Sequence, residues 1–140
     1  PKTLLVQVLR DELGLKGTKW SCDSGSCCAC TVIVDGKAVK SCSMLALQAN
    51  GKEVVTIEGL ANGPNLHPVQ QAFIDNWAFQ CGFCTSGQIM AAKALLDENP
   101  DPTREEIKIA MDGHLCRCTG YNMIIEAIED AAKRLQARKS

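Results

Sequence analysis

Apolar residues fall at helical spacing near the start of the chain, at Leu4, Leu5, Val8 and Leu9, and Gly14 follows as a natural stop. A loop of small residues then leads into Thr31-Val32-Ile33-Val34, a β-branched run that predicts a strand. Asp35-Gly36 predicts a two-residue turn, with Lys37 to Ser41 as the returning strand. Val54 to Ile57 is a further short strand candidate, and Gly59 to Pro64 reads as a connection. Beyond it the period changes from two to about 3.6. Pro68 suits a first helical turn ahead of Val69, Ala72, Phe73 and Trp77. A second helix starts at Thr85-Ser86, carries Ile89, Met90, Ala92, Leu95 and Leu96, and stops before Asn99-Pro100. Thr103 with Glu106 forms a capping box for a short helix that ends at Gly113. Ile124, Ile128, Ala131 and Leu135 mark one face of a last helix. The pattern is α+β, with a small sheet followed by four helices able to share a bundle core.

A chain of 140 residues has room for one domain or two small ones. Its 46% hydrophobic and 22% charged content is ordinary for a globular protein. A net charge of −1, the lack of a Lys/Arg block and an aromatic content of 4% speak against nucleic acid as a partner. No apolar run reaches the roughly 18–20 residues that span a bilayer, and no charged stretch followed by an apolar one marks a signal peptide. The expectation is a cytoplasmic chain without membrane contact. Its first residue, Pro1, is not a methionine, so the start is compatible with processing or with preceding residues.

Nine cysteines change the picture. An odd count leaves one unpaired in any full set of disulfides, and disulfide scaffolds are usually short chains poor in helix. Cys22, Cys27, Cys28, Cys30 and Cys42 lie in the first third, and Cys81, Cys84, Cys116 and Cys118 in the last half. Two modules with one metal site each follow, at residues 1–60 and 61–140. Cys22-x4-Cys27-x2-Cys30 with one further downstream cysteine is the plant-type [2Fe–2S] spacing. Counting outward from the Asp35-Gly36 turn pairs Val34 with Lys37 and Cys30 with Ser41, which brings Cys42 to the loop as the fourth ligand. Small residues such as Gly25, Ser26 and Ala29 let backbone N–H groups approach an anionic cluster. Cys28 is the surplus thiol and reads as a small packing residue. Cys81-x2-Cys84 and Cys116-x-Cys118 lie at or near helix N-termini, where anions are favoured and thiol pKa values are expected to fall. A zinc site is the other reading of each set, but its usual paired Cys-x2–4-Cys knuckles fit neither spacing well.

The stretch from Cys22 to Cys42, LHPVQQAF at 66–73, QCGFCTSG at 80–87 and HLCRCTGY at 114–121 together resemble the small iron–sulfur subunit of molybdenum hydroxylases, the xanthine oxidase and aldehyde oxidoreductase family. The resemblance implies a plant-ferredoxin-like β-grasp domain followed by a four-helix domain, each with a [2Fe–2S] cluster. It implies a large partner subunit holding molybdopterin beside the second cluster, with Gln80 and Cys118 as pterin contacts. It also implies that the first cluster faces a flavin, with FAD in a medium partner subunit, or another acceptor. Substrate oxidation would then occur at molybdenum in the partner, and this chain would supply no acid, base or nucleophile. His67 and His114, each alone, read as structural.

Three features depart from that pattern. About twenty further N-terminal residues, forming a first β-hairpin, are expected of a complete β-grasp sheet. Cys28 stands where the family usually has glycine, and a positive φ there would cost about 1–2 kcal/mol. His114 replaces an asparagine and Ser86 a proline, with His114 expected to face solvent. Two other functions fit the same residues: a free-standing two-cluster ferredoxin, which would lack exposed apolar patches, and a structural zinc module.

Overall fold

The computed structural model describes residues 2–139. An α-helical turn, α1 (Leu5–Gln7), runs on as a π-helix over Val8–Glu12. The chain then loops into an antiparallel hairpin, β1 (Thr31–Val34) and β2 (Lys37–Lys40). A two-residue strand, β3 (Val54–Val55), completes a sheet of order β2-β1-β3. Four helices follow: α2 (Pro68–Asp75), α3 (Thr85–Glu98), α4 (Arg104–Met111) and α5 (Asn122–Lys139). The expected strand at Val54 to Ile57 is shorter than predicted because Ile57–Gly59 turns into a 3₁₀ helix. No strand precedes Thr31 among the described residues, apart from the single bridge of Leu4 to Leu45.

The hairpin register is the one the turn demands. Asp35 and Gly36 have φ of 48° and 80°, the left-handed pair of a type I′ turn, whose twist matches that of its strands. Val34 therefore faces Lys37 and Thr31 faces Lys40. One step further, the Ser41 N–H and hydroxyl both donate to the Cys30 carbonyl, at 3.3 and 2.7 Å. Central β1 is buried along its whole length, while β2 is largely exposed.

Two cores result. Leu5, Leu9, Val32 and Val34 close the first half. Val69, Phe73, Ile107, Ile124 and Ile128 are essentially inaccessible and anchor the helical half, each contributing about 1.5–3 kcal/mol by burial. Arg134 of α5 ties the bundle further, reaching Asp75 at 2.6 Å and Asp130 at 2.7 Å. The halves meet where α3 lies against β1 and the loop before it. Gly87 makes that approach possible: a Cβ there would stand 2.4 Å from the Cys28 carbonyl oxygen and 3.1 Å from Ala29 Cα. Gly87→Ala is therefore expected to destabilise the chain by about 1–3 kcal/mol through overpacking against backbone, read as a lowered thermal midpoint.

His67 caps α2. Its Nδ1 accepts the Val69 N–H at 3.3 Å, and Gln70 Oε1 accepts the His67 N–H at 3.0 Å. Burial, followed by the Lys93 charge, holds this imidazole below its ordinary pKa. Protonation would also remove the cap's acceptor. A depressed folded-state value means the unfolded chain takes up the proton first, near pH 6.5, so stability is full above that pH and falls as pH drops through the folded value. Thermal unfolding from pH 7.5 to 5 should show this loss in the wild type and a shallower one in His67→Asn, which keeps a capping acceptor.

Candidate [2Fe–2S] sites

The first site is a curled loop beside the hairpin. Positive φ at Asp23 (54°), Gly25 (70°) and Cys28 (58°) turns successive backbone N–H groups inward, the geometry of an anion nest. The Cys27 N–H donates to Cys22 Sγ at 3.4 Å, and the Cys42 N–H donates to Cys30 Sγ at 3.5 Å. The thiols of Cys22 and Cys27 lie beside each other, as do those of Cys30 and Cys42. Backbone hydrogen bonds from Cys27 and then Ser24 bring the Cys22 thiol down to about 6. Burial pushes Cys30 up to about 11.

The second site lies where two helical connections meet. Cys84 is the N-cap of α3, and Cys116 and Cys118 stand on the turn between α4 and α5. Cys84 pairs with Cys116, and Cys81 with Cys118. Thr119 supports one side, its hydroxyl 3.1 Å and its nitrogen 3.4 Å from Cys116 Sγ. The Cys116 N–H donates to the Tyr121 hydroxyl at 2.9 Å. Gln80 Nε2 donates to the Cys118 carbonyl at 3.2 Å, clasping the two connections together. The expected fall in thiol pKa at a helix start does not occur at Cys84. Burial outweighs the helix dipole and, with the neighbouring Cys116 thiol, pushes Cys84 up to about 12. Burial also acts against Cys116, but the Thr119 hydroxyl and N–H overcome it and hold that thiol below its ordinary value.

Sulfurs thus come together in twos. Among the described residues no three His, Cys, Asp or Glu side chains gather closely enough to hold one metal ion. A [2Fe–2S] cluster takes four thiolates, two on each iron, so two adjacent pairs are the donor set it needs. Burial at Cys30 and Cys84 opposes bare thiolates, and iron supplies the positive charge that makes them stable. The residues present fit two such clusters.

The sites abut. The Leu115 N–H donates to the Cys27 carbonyl at 3.1 Å, joining a first-set cysteine to the residue before Cys116. A cleft of about 380 Å³ between them is lined by Cys27, Phe83, Cys84, Cys116, Arg117 and Tyr121. Cys28 is 2% exposed, with its sulfur 3.7 Å from the position of a Cβ on Gly113, so it fills the junction as a packing residue. Its φ of 58° lies in the left-handed region, where a residue with a Cβ is strained. His114 does not face solvent as expected. Burial lowers its pKa, its Nε2 lies 3.4 Å from the Thr31 hydroxyl, and its Nδ1 is buried. Thr119 and Tyr121 sit inside the recognised HLCRCTGY stretch, yet only the fold shows that they brace Cys116.

The 2Fe-2S iron-sulfur cluster binding domain matches residues 1–58, and the [2Fe-2S] binding domain matches residues 56–129. The nicotinate dehydrogenase small FeS subunit of Eubacterium barkeri is 49% identical over 134 residues, which are 96% of this chain and 85% of that one. Quinoline 2-oxidoreductase from Pseudomonas putida 86 superposes with a TM-score of 0.94 at 46% identity, over 100% of this chain and 86% of the matched one. Aldehyde oxidoreductase from Desulfovibrio gigas gives 0.93 at 44% identity, over 98% of this chain but 15% of its own. The chain belongs to the small [2Fe–2S] subunit family of molybdenum hydroxylases. As a member it is an electron-transfer component of an oxidoreductase, a ferredoxin-like domain followed by a helical one, with two [2Fe–2S] clusters. In such a complex the molybdopterin belongs to a partner subunit.

Because Cys28 has a packing position in a left-handed conformation, Cys28→Gly is expected to retain the full iron content. Relief of about 1–2 kcal/mol of backbone strain should be largely offset by the lost buried sulfur. Iron analysis together with thermal unfolding checks both statements.

Proposed function

We propose that Cys22, Cys27, Cys30 and Cys42 hold one cluster within residues 1–60, and that Cys81, Cys84, Cys116 and Cys118 hold the other within residues 61–140. The observation that carries this reading is the arrangement of eight sulfurs as four pairs, two in each half. Cys22 with Cys27 would take one iron of the first cluster and Cys30 with Cys42 the other. Cys84 with Cys116, and Cys81 with Cys118, would divide the second in the same way. When bound, each cluster supplies a one-electron redox couple. The protein's part is to hold the sulfurs, direct N–H groups at them and keep the two sites close through the Leu115–Cys27 hydrogen bond.

The second site has an inner and an outer edge. Cys84 and Cys116 are partly buried beside the first half, whereas Cys81 and Cys118 are exposed. The outer edge, with Gln80 clasped to it, is where a molybdopterin in a large partner subunit would approach, and Gln80 and Cys118 are its contacts in this reading. Trp77, Phe79, Phe83 and Leu115 are exposed on the connections around it, at 76%, 37%, 45% and 57%. Apolar exposure on that scale favours a subunit with a fixed partner over a free-standing ferredoxin. Electrons would enter at this edge and leave from the first site, toward FAD in a medium partner subunit. No two of the nine cysteines form a disulfide, which suits a reducing, cytoplasmic setting, and among the described residues no helix is long and apolar enough to cross a membrane.

Iron and acid-labile sulfide of about four each per chain are expected, with two distinct reduced-cluster EPR signals. Cys42→Ser should abolish or alter one signal and Cys116→Ser the other. A chain holding zinc and no sulfide would refute the assignment, as would loss of both signals together in either variant.

A further inference from the structure

Trp20 stands just before Cys22, at the end of the loop that leads into the first site. Its ring packs against a small buried cluster formed by Val6, Cys30 and Cys42. Those three are 0%, 2% and 6% exposed, so this wall of the site is closed to water. The indole Nε1 is itself buried and has no hydrogen-bond partner among the described residues. An indole nitrogen can only donate, and a buried donor left unsatisfied costs about 1–3 kcal/mol. Thr18, two residues earlier, also has a buried hydroxyl without a partner, yet the two do not pair. The cluster the ring packs on offers only Val6 and the two cysteines, and neither Cys30 nor Cys42 Sγ accepts from the indole N–H. The acceptor it lacks would have to come with the group those two thiols would hold, whose inorganic sulfides lie beside them.

We propose that the Trp20 indole N–H donates a hydrogen bond to sulfur at the Cys30–Cys42 side of the first cluster and raises its reduction potential. The inference rests on the assignment of Cys30 and Cys42 as ligands. Reduction adds one negative charge to the cluster and its four thiolates, so a donor aimed at sulfur favours the reduced state over the oxidised one. The Cys42 N–H already performs this service at Cys30 Sγ from the backbone, and Trp20 adds a side-chain donor on the same side. Trp20 is thus a positioning residue for electrons. It makes the first site the favoured resting place for an electron arriving from the second. It does so from a wall that water cannot reach, where a hydrogen bond is electrostatically stronger than at a surface.

The test is a redox titration of the intact iron-loaded complex, following the two reduced-cluster EPR signals separately. The first-site signal is assigned as the one altered by Cys42→Ser. Trp20→Phe keeps an aromatic ring and removes the donor. The first-site potential is expected to become more negative by about a tenfold change in the reduction equilibrium, ~59 mV for one electron, with the second unmoved. If both clusters are present in Trp20→Phe and the first-site potential does not move, or both potentials move together, the hydrogen bond is refuted and the ligand assignment stands. If the wild-type complex lacks iron at Cys22 to Cys42, the assignment fails and the inference with it. Should Trp20→Phe fail to assemble the first cluster, the wild type decides. With indole-¹⁵N-labelled tryptophan, hyperfine coupling of one nitrogen to the reduced first cluster is expected in wild type, and its absence overturns the proposal.

Discussion

Sulfur held close to sulfur is the constraint on which this structure turns. Thiolates repel one another and are poorly tolerated away from water, so eight of them in two small sites, as proposed, would require compensation from outside the side chains themselves. Part of it comes from the backbone, through the inward N–H groups of the curled loop at Asp23 to Cys28 and those at Cys42 and Thr119. The larger part has to come from cations. The thiols reflect this division. Cys22 and Cys116, well supplied with donors, sit low, while Cys30 and Cys84, more deeply buried, sit high. In the proposed assignment each site would pair sulfurs prepared for ionisation with sulfurs that need metal to reach it.

Much of this was legible from residue order. Asp35-Gly36 dictates a tight turn, the turn dictates the register, and the register carries Cys42 to Cys30 without any tertiary information. The capping box at Thr103 and Glu106 and the proline at the start of α2 likewise announce their helices locally. Local rules failed where tertiary contact decides. The dipole argument at Cys84 was overridden by the depth to which packing places it. His114 was expected in solvent, but β1 supplies Thr31 from a distant part of the chain. Trp20 carried no signal in its immediate sequence, since its meaning comes from Val6, Cys30 and Cys42 closing around it.

The two halves have separate cores but a shared junction, and its closest contacts are made by backbone. Gly87 admits the Cys28 carbonyl, Leu115 donates to the Cys27 carbonyl, and Cys28 fills what remains. Main-chain contacts of this kind leave little freedom for one half to shift against the other, unlike a surface of long side chains. For an electron carrier this matters more than the strength of the joint. Tunnelling falls off steeply with separation, so a carrier benefits from a fixed gap between its sites.

The hairpin has a consequence of another sort. Since its strands rise by about 3.3 Å per residue, lengthening both arms by a single pair would carry the tip outward and leave the Cys30–Cys42 contact intact. Inserting one residue in only one arm would instead reverse which side every later position faces and turn Cys42 away from its partner. The β1–β2 ribbon therefore acts as a ruler that tolerates symmetric growth and forbids asymmetric change. Natural variation in this segment should obey that parity.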